Sequence, residues 1–225
     1  MLVTCYYDIY NHPENITKYI ELFEKIGNSG IPIILFTDPS LVSKFPSITV
    51  IGIPLETFEL YSIAMKYNGD LPLHRRPKDT KEFLSLMNTK IEFIKKAAEL
   101  SNDDTFMWMD IGILKIVKNK DRFINKLKNI KKCKNITIPG YWGFGRPVSN
   151  DIKNMRFCGR FFIIPRNHIN AFYNHSRHVL NDFCNTPHYK LTWETNIWYI
   201  IEYCAAKDII DWYFTENDES IVLNL

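Results

Sequence analysis

Several patterns that mark common catalytic sites are missing from this chain. It has no Walker A motif, no GxGxxG after the first predicted strand, and neither GxSxG nor HExxH, which excludes the sites that those motifs build. The five cysteines are scattered and no CxxC pair occurs, so the spacing of a zinc site is also absent. An odd, widely spaced set favours reduced thiols in a cytoplasmic compartment, or the host cytoplasm if the chain is viral.

Long apolar runs and a strong charge of one sign are lacking too. No apolar run approaches the roughly 20 residues of a spanning helix, and residues 1–8 lack the basic and apolar regions of a signal peptide. We therefore expect no membrane span. The net charge of +3 is too small to argue for nucleic acid. The basic run Lys126–Lys134 is interleaved with apolar residues, which favours a solvated helix face.

What the chain does contain is an ordinary globular composition, with 225 residues, 46% of them apolar and 24% charged. Apolar runs at 2–7, 31–37 and 48–53 alternate with helical stripes, the first beginning near Glu14. This order predicts an α/β fold with a mostly parallel central sheet flanked by helices. No linker or repeat divides the chain, so we expect one Rossmann-type domain over 1–225.

The central segment is Phe106–Ile113. Its apolar residues predict a buried strand that ends in Asp110, and Gly112 follows two residues later. In open α/β sheets, ligands bind outside the carboxyl ends of the strands, where an acid can meet a metal or sugar hydroxyls. The alternative is a plain turn, since Asp and Gly are both turn residues.

The clearest helix is predicted over Asp79–Leu100, with Asp79 and Glu82 spaced as a capping box. Lys90 falls on its apolar stripe. Such a lysine either extends its ammonium to solvent along the apolar surface or points along the sheet toward an anion.

Three further features are candidates for binding. The loop 68–77 is an irregular segment that carries Arg75 and Arg76 and has the composition of a surface loop. Gly140–Pro147 holds three glycines among three aromatics, including Trp142, which suits a sugar ring or a plain loop equally. Glu194 lies in the first turn of a last helix, Trp193–Ala206, which Thr192 is expected to cap; an acid there also suits the helix dipole.

This layout is similar to that of a GT-A glycosyltransferase. Val3–Ile9, Phe36-Thr37-Asp38, Asn88-Thr89-Lys90 and Trp108–Ile113 resemble, in their order, motifs of the HtrL/YibB-like family of glycosyltransferases. That family typically shows Trp-x-Asp-x-Gly-Ile at the last of these. The resemblance covers most of residues 1–115 and is looser beyond.

The resemblance implies a nucleotide-sugar half over about 1–115 and an acceptor half over about 116–225. Asp110 would stand at the metal or sugar-nucleotide site, and Lys90 would face the nucleotide sugar. The remaining donor-site candidates are Thr4, Tyr6, Asp8, Gly112 and Trp142.

One departure from the family pattern concerns the metal. The usual acidic motif is Asp-x-Asp, whereas its third position here is Gly112, and a single carboxylate is a weak site for Mg²⁺ or Mn²⁺. Either His188 or Asp8 supplies a further ligand beside Asp110, or cationic groups replace the divalent cation. The candidates for that replacement are Arg75, Arg76 and Lys90.

The predicted reaction transfers a sugar from a nucleotide-diphosphate donor to a hydroxyl of a glycan or other acceptor. If configuration inverts, a carboxylate base must activate that hydroxyl; Glu194 is the first candidate and Asp151 the reserve. If configuration is retained, Glu194 only orients the acceptor. The missing second acid favours an alternative, a non-catalytic protein that binds a nucleotide sugar or glycan. A structural domain without a small ligand is a third reading, which the Gly/aromatic loop disfavours.

Overall fold

Seven strands form one sheet that runs through both halves of the chain. The computed structural model describes residues 1–10, 12, 14–71, 79–143, 155–187 and 189–225. In chain order the strands are β1 (Leu2–Tyr6), β2 (Ile33–Thr37), β3 (Thr49–Gly52), β4 (Thr105–Met109), β5 (Ile136–Gly140), β6 (Phe161–Pro165) and β7 (Ile210–Phe214). The α/β prediction is confirmed.

The strand order across the sheet is β3-β2-β1-β4-β6-β5-β7. Strands β1 to β4 run parallel, β6 is antiparallel to both β4 and β5, and β7 is parallel to β5. The reversed β6 therefore begins at the edge where its neighbour β4 ends, and Met109 pairs with Phe161 there. This reversal brings residues of the second half to the carboxyl end of the central strand.

Helices cover both faces of the sheet. They are α1 (Glu14–Gly27), α2 (Glu59–Met65), α3 (Lys81–Asn88), α4 (Lys90–Leu100), α5 (Lys120–Lys128), α6 (Arg166–Asn185), α7 (Glu194–Ile201) and α8 (Ser220–Leu223). Side chains alternate along each strand, so Val3 and Cys5 pack on the layer of α2, α3, α4, α6 and α7, while Leu2 and Tyr6 pack on that of α1, α5 and α8. Because both faces are covered, β1, β2 and β6 are buried along their whole length.

The predicted helix over Asp79–Leu100 is two helices with a break at Thr89. The Thr89 hydroxyl donates to the Ser85 carbonyl at 2.9 Å, and the Asn88 amide donates to the Leu84 carbonyl at 2.9 Å. Such bonds back to the preceding turn bend a helix. The expected capping box is also wrong, because the N-cap is Thr80, whose side chain accepts from the Phe83 N–H at 3.2 Å.

The last predicted helix differs as well. Its α-helical part ends at Ile201 and continues as a π-helical turn, Glu202–Ala206. Trp193 is the N-cap, without a side-chain cap bond; the Thr192 hydroxyl instead accepts from the Asn196 amide at 2.8 Å. The segment that follows β7 includes α8, which packs against the core. No helix in the described part of the chain is long and apolar enough to cross a membrane.

A distant carboxylate caps helix α2. Its N-cap, Phe58, offers no side-chain acceptor, and Glu92 of α4 accepts instead from the Glu59 and Leu60 N–H groups, each at 2.8 Å. We expect Glu92→Ala to lower the free energy of unfolding by about 1–3 kcal/mol, because two N–H groups lose a charged acceptor.

Urea denaturation measures this change. Glu99→Ala, on the exposed end of the same helix, is the control and should cost less than about 1 kcal/mol. Equal losses in the two variants would contradict the capping role of Glu92.

Candidate active site

A cavity of about 490 Å³ opens at the carboxyl edge of the sheet. The ends of β1 and β4 contribute one wall, and α3 and α4 contribute another. The segment before β6 and the start of α7 close the third side. This is the edge at which α/β sheets bind ligands.

Lys90 is the centre of a buried ion network beside this cavity. Its Nζ lies 2.7 Å from Glu194 Oε1 and 3.0 Å from Asp110 Oδ1, and it donates to the Gly159 carbonyl at 2.8 Å. The three N–H groups of the ammonium thus face three oxygen atoms. The Trp108 ring lies 5.7 Å from the same nitrogen.

The charges of this network are strongly coupled. Burial alone would lower the pKa of Lys90, but the Asp110 and Glu194 carboxylates outweigh it and raise that pKa above its ordinary value. Burial raises the pKa of Glu194, against the opposing effect of Lys90. Lys90 therefore stays an ammonium, and it already forms ion pairs with two carboxylates.

Asp110 is the more exposed of the two acids in the network. Its side chain is 26% exposed, whereas that of Glu194 is 2% exposed. The Trp108 indole N–H donates to Asp110 Oδ1 at 2.9 Å, and the Asp110 N–H donates to the Arg160 carbonyl at 2.8 Å. Lys90 and Trp108 thus hold Oδ1 in place, whereas no partner of Oδ2 is seen among the described residues.

Gly159 is required by the way Glu194 reaches Lys90. A Cβ at position 159 would lie 2.0 Å from Glu194 Oε1. Any side chain there would push the carboxylate away from the ammonium. The glycine therefore allows close approach between the segment before β6 and the start of α7.

The described residues do not fit a divalent cation. Oδ1 of Asp110 is bonded to an ammonium and an indole N–H, and no group of three or more His, Cys, Asp or Glu side chains is assembled within the described ranges. At Gly112, where a second acid was sought, a Cβ would lie 2.8 Å from Tyr19 Cε1. A second carboxylate there would require Tyr19 to move.

The predicted site residues are partly brought together. Those that line the cavity are Tyr6, Asp8, Lys90, Asp110, Gly112 and Glu194. Thr4 is fully buried within β1, and Trp142 packs on Tyr199 with ring centroids 5.2 Å apart; neither lines the cavity. The other candidates, Arg75, Arg76, Asp151 and His188, lie outside the described residues.

Sequence reasoning missed a row of aromatic rings. Tyr10 stacks on Phe83 with centroids 6.2 Å apart, and Phe83 meets Trp193 edge-on at 5.2 Å. All three line the cavity, and aromatic faces of this kind pack well on sugar rings. They come from three distant segments, so no local pattern links them.

Two cations of the cavity, Lys115 and Arg160, were missed as well. Arg160 precedes β6, and only the reversal of that strand brings it beside Asp110. Lys115 follows Asp110 by five residues on a short 3₁₀ turn, Ile113–Lys115. The short spacing between Asp110 and Lys115 was the pattern from which this cation could have been predicted.

Comparison with known proteins gives similarity of structure only. No family model and no curated protein matches the sequence, so the resemblance to the HtrL/YibB-like family stays a prediction. Among solved structures, a glycosyltransferase involved in glycosylation of the major capsid of PBCV-1 matches with a TM-score of 0.48 and 12% identity, over 95% of this chain and 80% of that chain.

Two further solved structures are similar. The galactosyltransferase LgtC, in complex with donor and acceptor sugar analogs, has a TM-score of 0.49 and 11% identity, over 94% of this chain and 72% of that one. The glycosyltransferase GlyE of Streptococcus pneumoniae TIGR4 has a TM-score of 0.44 and 14% identity, over 94% of this chain and 44% of that one. At such identities the likeness concerns the fold alone.

Proposed function

We propose that the protein transfers a sugar from a nucleotide-diphosphate donor to an acceptor hydroxyl. The observation that carries the proposal is the cavity at the carboxyl edge of the sheet, where Asp110 is oriented by Lys90 and Trp108. A partly exposed carboxylate with one oxygen held and one free suits a sugar diol, which donates hydrogen bonds to it.

The aromatic row supports a carbohydrate ligand further. Tyr10, Phe83 and Trp193 line the same cavity as Asp110. A sugar ring packed on these faces would bury its apolar C–H surface, while Asp110 takes its hydroxyls. Holding donor and acceptor together in this way lowers the barrier by orientation alone.

We assign Glu194 to positioning Lys90 rather than to proton abstraction. A general base must come within hydrogen-bond reach of the hydroxyl that it activates. The Glu194 carboxylate is 2% exposed and bonded through Oε1 to Lys90. Its burial and this bond therefore favour support of the ammonium, which in turn orients Asp110.

Release of free nucleotide from a panel of UDP- and GDP-sugars tests the proposal. The wild type should release nucleotide, and Asp110→Asn should reduce the rate by about 100-fold, since misplacement at a reacting centre costs about that much. Asp208→Asn, at an exposed site outside the cavity lining, should leave the rate unchanged.

Melting temperatures measured with the same donors, together with nucleotide release, distinguish a transferase from a non-catalytic binding protein. A donor that binds the folded state raises the melting temperature. A shift without nucleotide release would favour the non-catalytic binding protein, to which the absence of an acid at Gly112 also points. If no nucleotide sugar shifts the melting temperature or is turned over, the transferase proposal is wrong.

A further inference from the structure

The cavity holds two cations that the buried ion network does not use. Lys115 is exposed and Arg160 half-buried, and both line the cavity beside Asp110. Building on the transferase proposed above, we propose that Lys115 and Arg160 form a diphosphate subsite that neutralises the donor without a divalent cation. A diphosphate leaving group needs such neutralisation, by a metal or by cationic side chains.

Lys115 occupies the region where a second metal-binding acid would otherwise lie. Its Cδ is 3.7 Å from the position of a Cβ at Gly112, and Tyr19 Cε1 is 2.8 Å from that same position. The Lys115 ammonium lies 3.5 Å from the centroid of the Tyr19 ring. The space beside Asp110 thus contains an aromatic ring with a cation over its face, an arrangement that holds the ammonium while leaving its N–H groups available.

Among the described residues, Arg160 has a hydrogen-bond partner at one nitrogen only. Its Nε donates to Asn217 Oδ1 at 2.9 Å, and Asn217 itself has the left-handed φ of 63°. Within the described ranges, the two terminal nitrogens of the guanidinium make no further hydrogen bond or ion pair. A guanidinium fixed at Nε with its terminal N–H groups free matches the bidentate geometry of a phosphate.

Lys90, one of the three cations suggested by the sequence, is unsuited to this task. Its three N–H groups already face Glu194, Asp110 and the Gly159 carbonyl. A phosphate would have to displace a carboxylate from a buried ammonium, which leaves that carboxylate uncompensated. The accessible cations are therefore the better partners of the diphosphate.

Calorimetric titration with inorganic pyrophosphate and with UDP, in EDTA and low salt, tests the subsite. The wild type should bind both ligands, and Lys115→Gln and Arg160→Gln should each raise the Kd by about tenfold, the loss expected for one charge-assisted contact. Lys118→Gln, a nearby exposed lysine outside the cavity lining, is the matched control and should bind like the wild type. Melting temperatures of all variants should agree, because neither side chain is buried.

Three results would overturn the subsite: no pyrophosphate binding by the wild type, unchanged Kd values in both variants, or binding that appears only with Mn²⁺. Different results reject the proposed subsite and the proposed transferase activity. Nucleotide release with unchanged pyrophosphate affinity in the variants rejects the subsite alone. Pyrophosphate affinity that depends on both residues, with no release from any sugar donor, keeps the subsite and rejects the transferase.

Discussion

Lys90→Met is expected to lower the free energy of unfolding by about 3–5 kcal/mol, since removal of one partner strands a buried charge. Lys90 is 1% exposed, and it lies between Glu194 at 2.7 Å and Asp110 at 3.0 Å. Without the ammonium, two acids face each other across a buried space. The Gly159 carbonyl also loses its donor.

Urea denaturation with a matched lysine measures the effect. Lys95 lies on the same helix in an exposed pair with Glu99, so Lys95→Met should cost less than about 1 kcal/mol. Adding Glu194→Gln to Lys90→Met should restore part of the stability, because one stranded charge is removed; this non-additivity identifies direct coupling. Similar losses for the two lysines would show that the network does not stabilise the fold.

The second large effect concerns Arg156. Arg156→Met is expected to cost about 3–5 kcal/mol, again because it strands a buried partner. The guanidinium is fully buried, and its Nε and Nη2 each lie 2.6 Å from an oxygen of Glu202. Nη1 donates to the Trp142 carbonyl. The rings of Phe157 and Trp212 lie 4.8 and 5.0 Å from its central carbon.

Arg177 offers the matched control for this pair. It forms a 2.6 Å pair with Glu59, in which both side chains are about half exposed. Arg177→Met should therefore destabilise the fold much less than Arg156→Met, since solvent screens the pair. Arg156→Met should also weaken binding of the nucleotide-sugar donor, because Met155 and Phe157, the neighbours of Arg156, line the cavity. Equal stability losses at the two arginines would contradict this account.

Much of the fold was readable from local pattern. The apolar runs that became β1, β2, β3 and β4 are continuous and bounded by polar residues. These four strands and their order along the chain could therefore be predicted from the sequence. Helix ends were less predictable. Thr89 interrupts the helix because its hydroxyl donates to a backbone carbonyl. The apolar stripe continues across this position, so hydrophobic periodicity does not predict the break.

The common location of two site residues could be predicted because both follow a strand. Asp8 and Asp110 come directly after runs that became neighbouring parallel strands, so their common edge followed from topology. Lys90 was one candidate for the cation that replaces the metal, and its two carboxylate partners were not predicted. Glu194 lies 104 residues away along the chain, and no spacing rule connects two such positions.

By itself, the sequence determined that an acid follows directly after β4, that a lysine lies on the apolar face of the preceding helix, and that no second acid follows at Gly112. The tertiary structure alone decided which charges meet. The reversal of β6 brings Gly159 and Arg160 to the edge where Asp110 lies, and the absence of a side chain at Gly159 lets Glu194 reach Lys90. These contacts depend on strand order and close packing between distant segments, and local residue patterns do not encode either one.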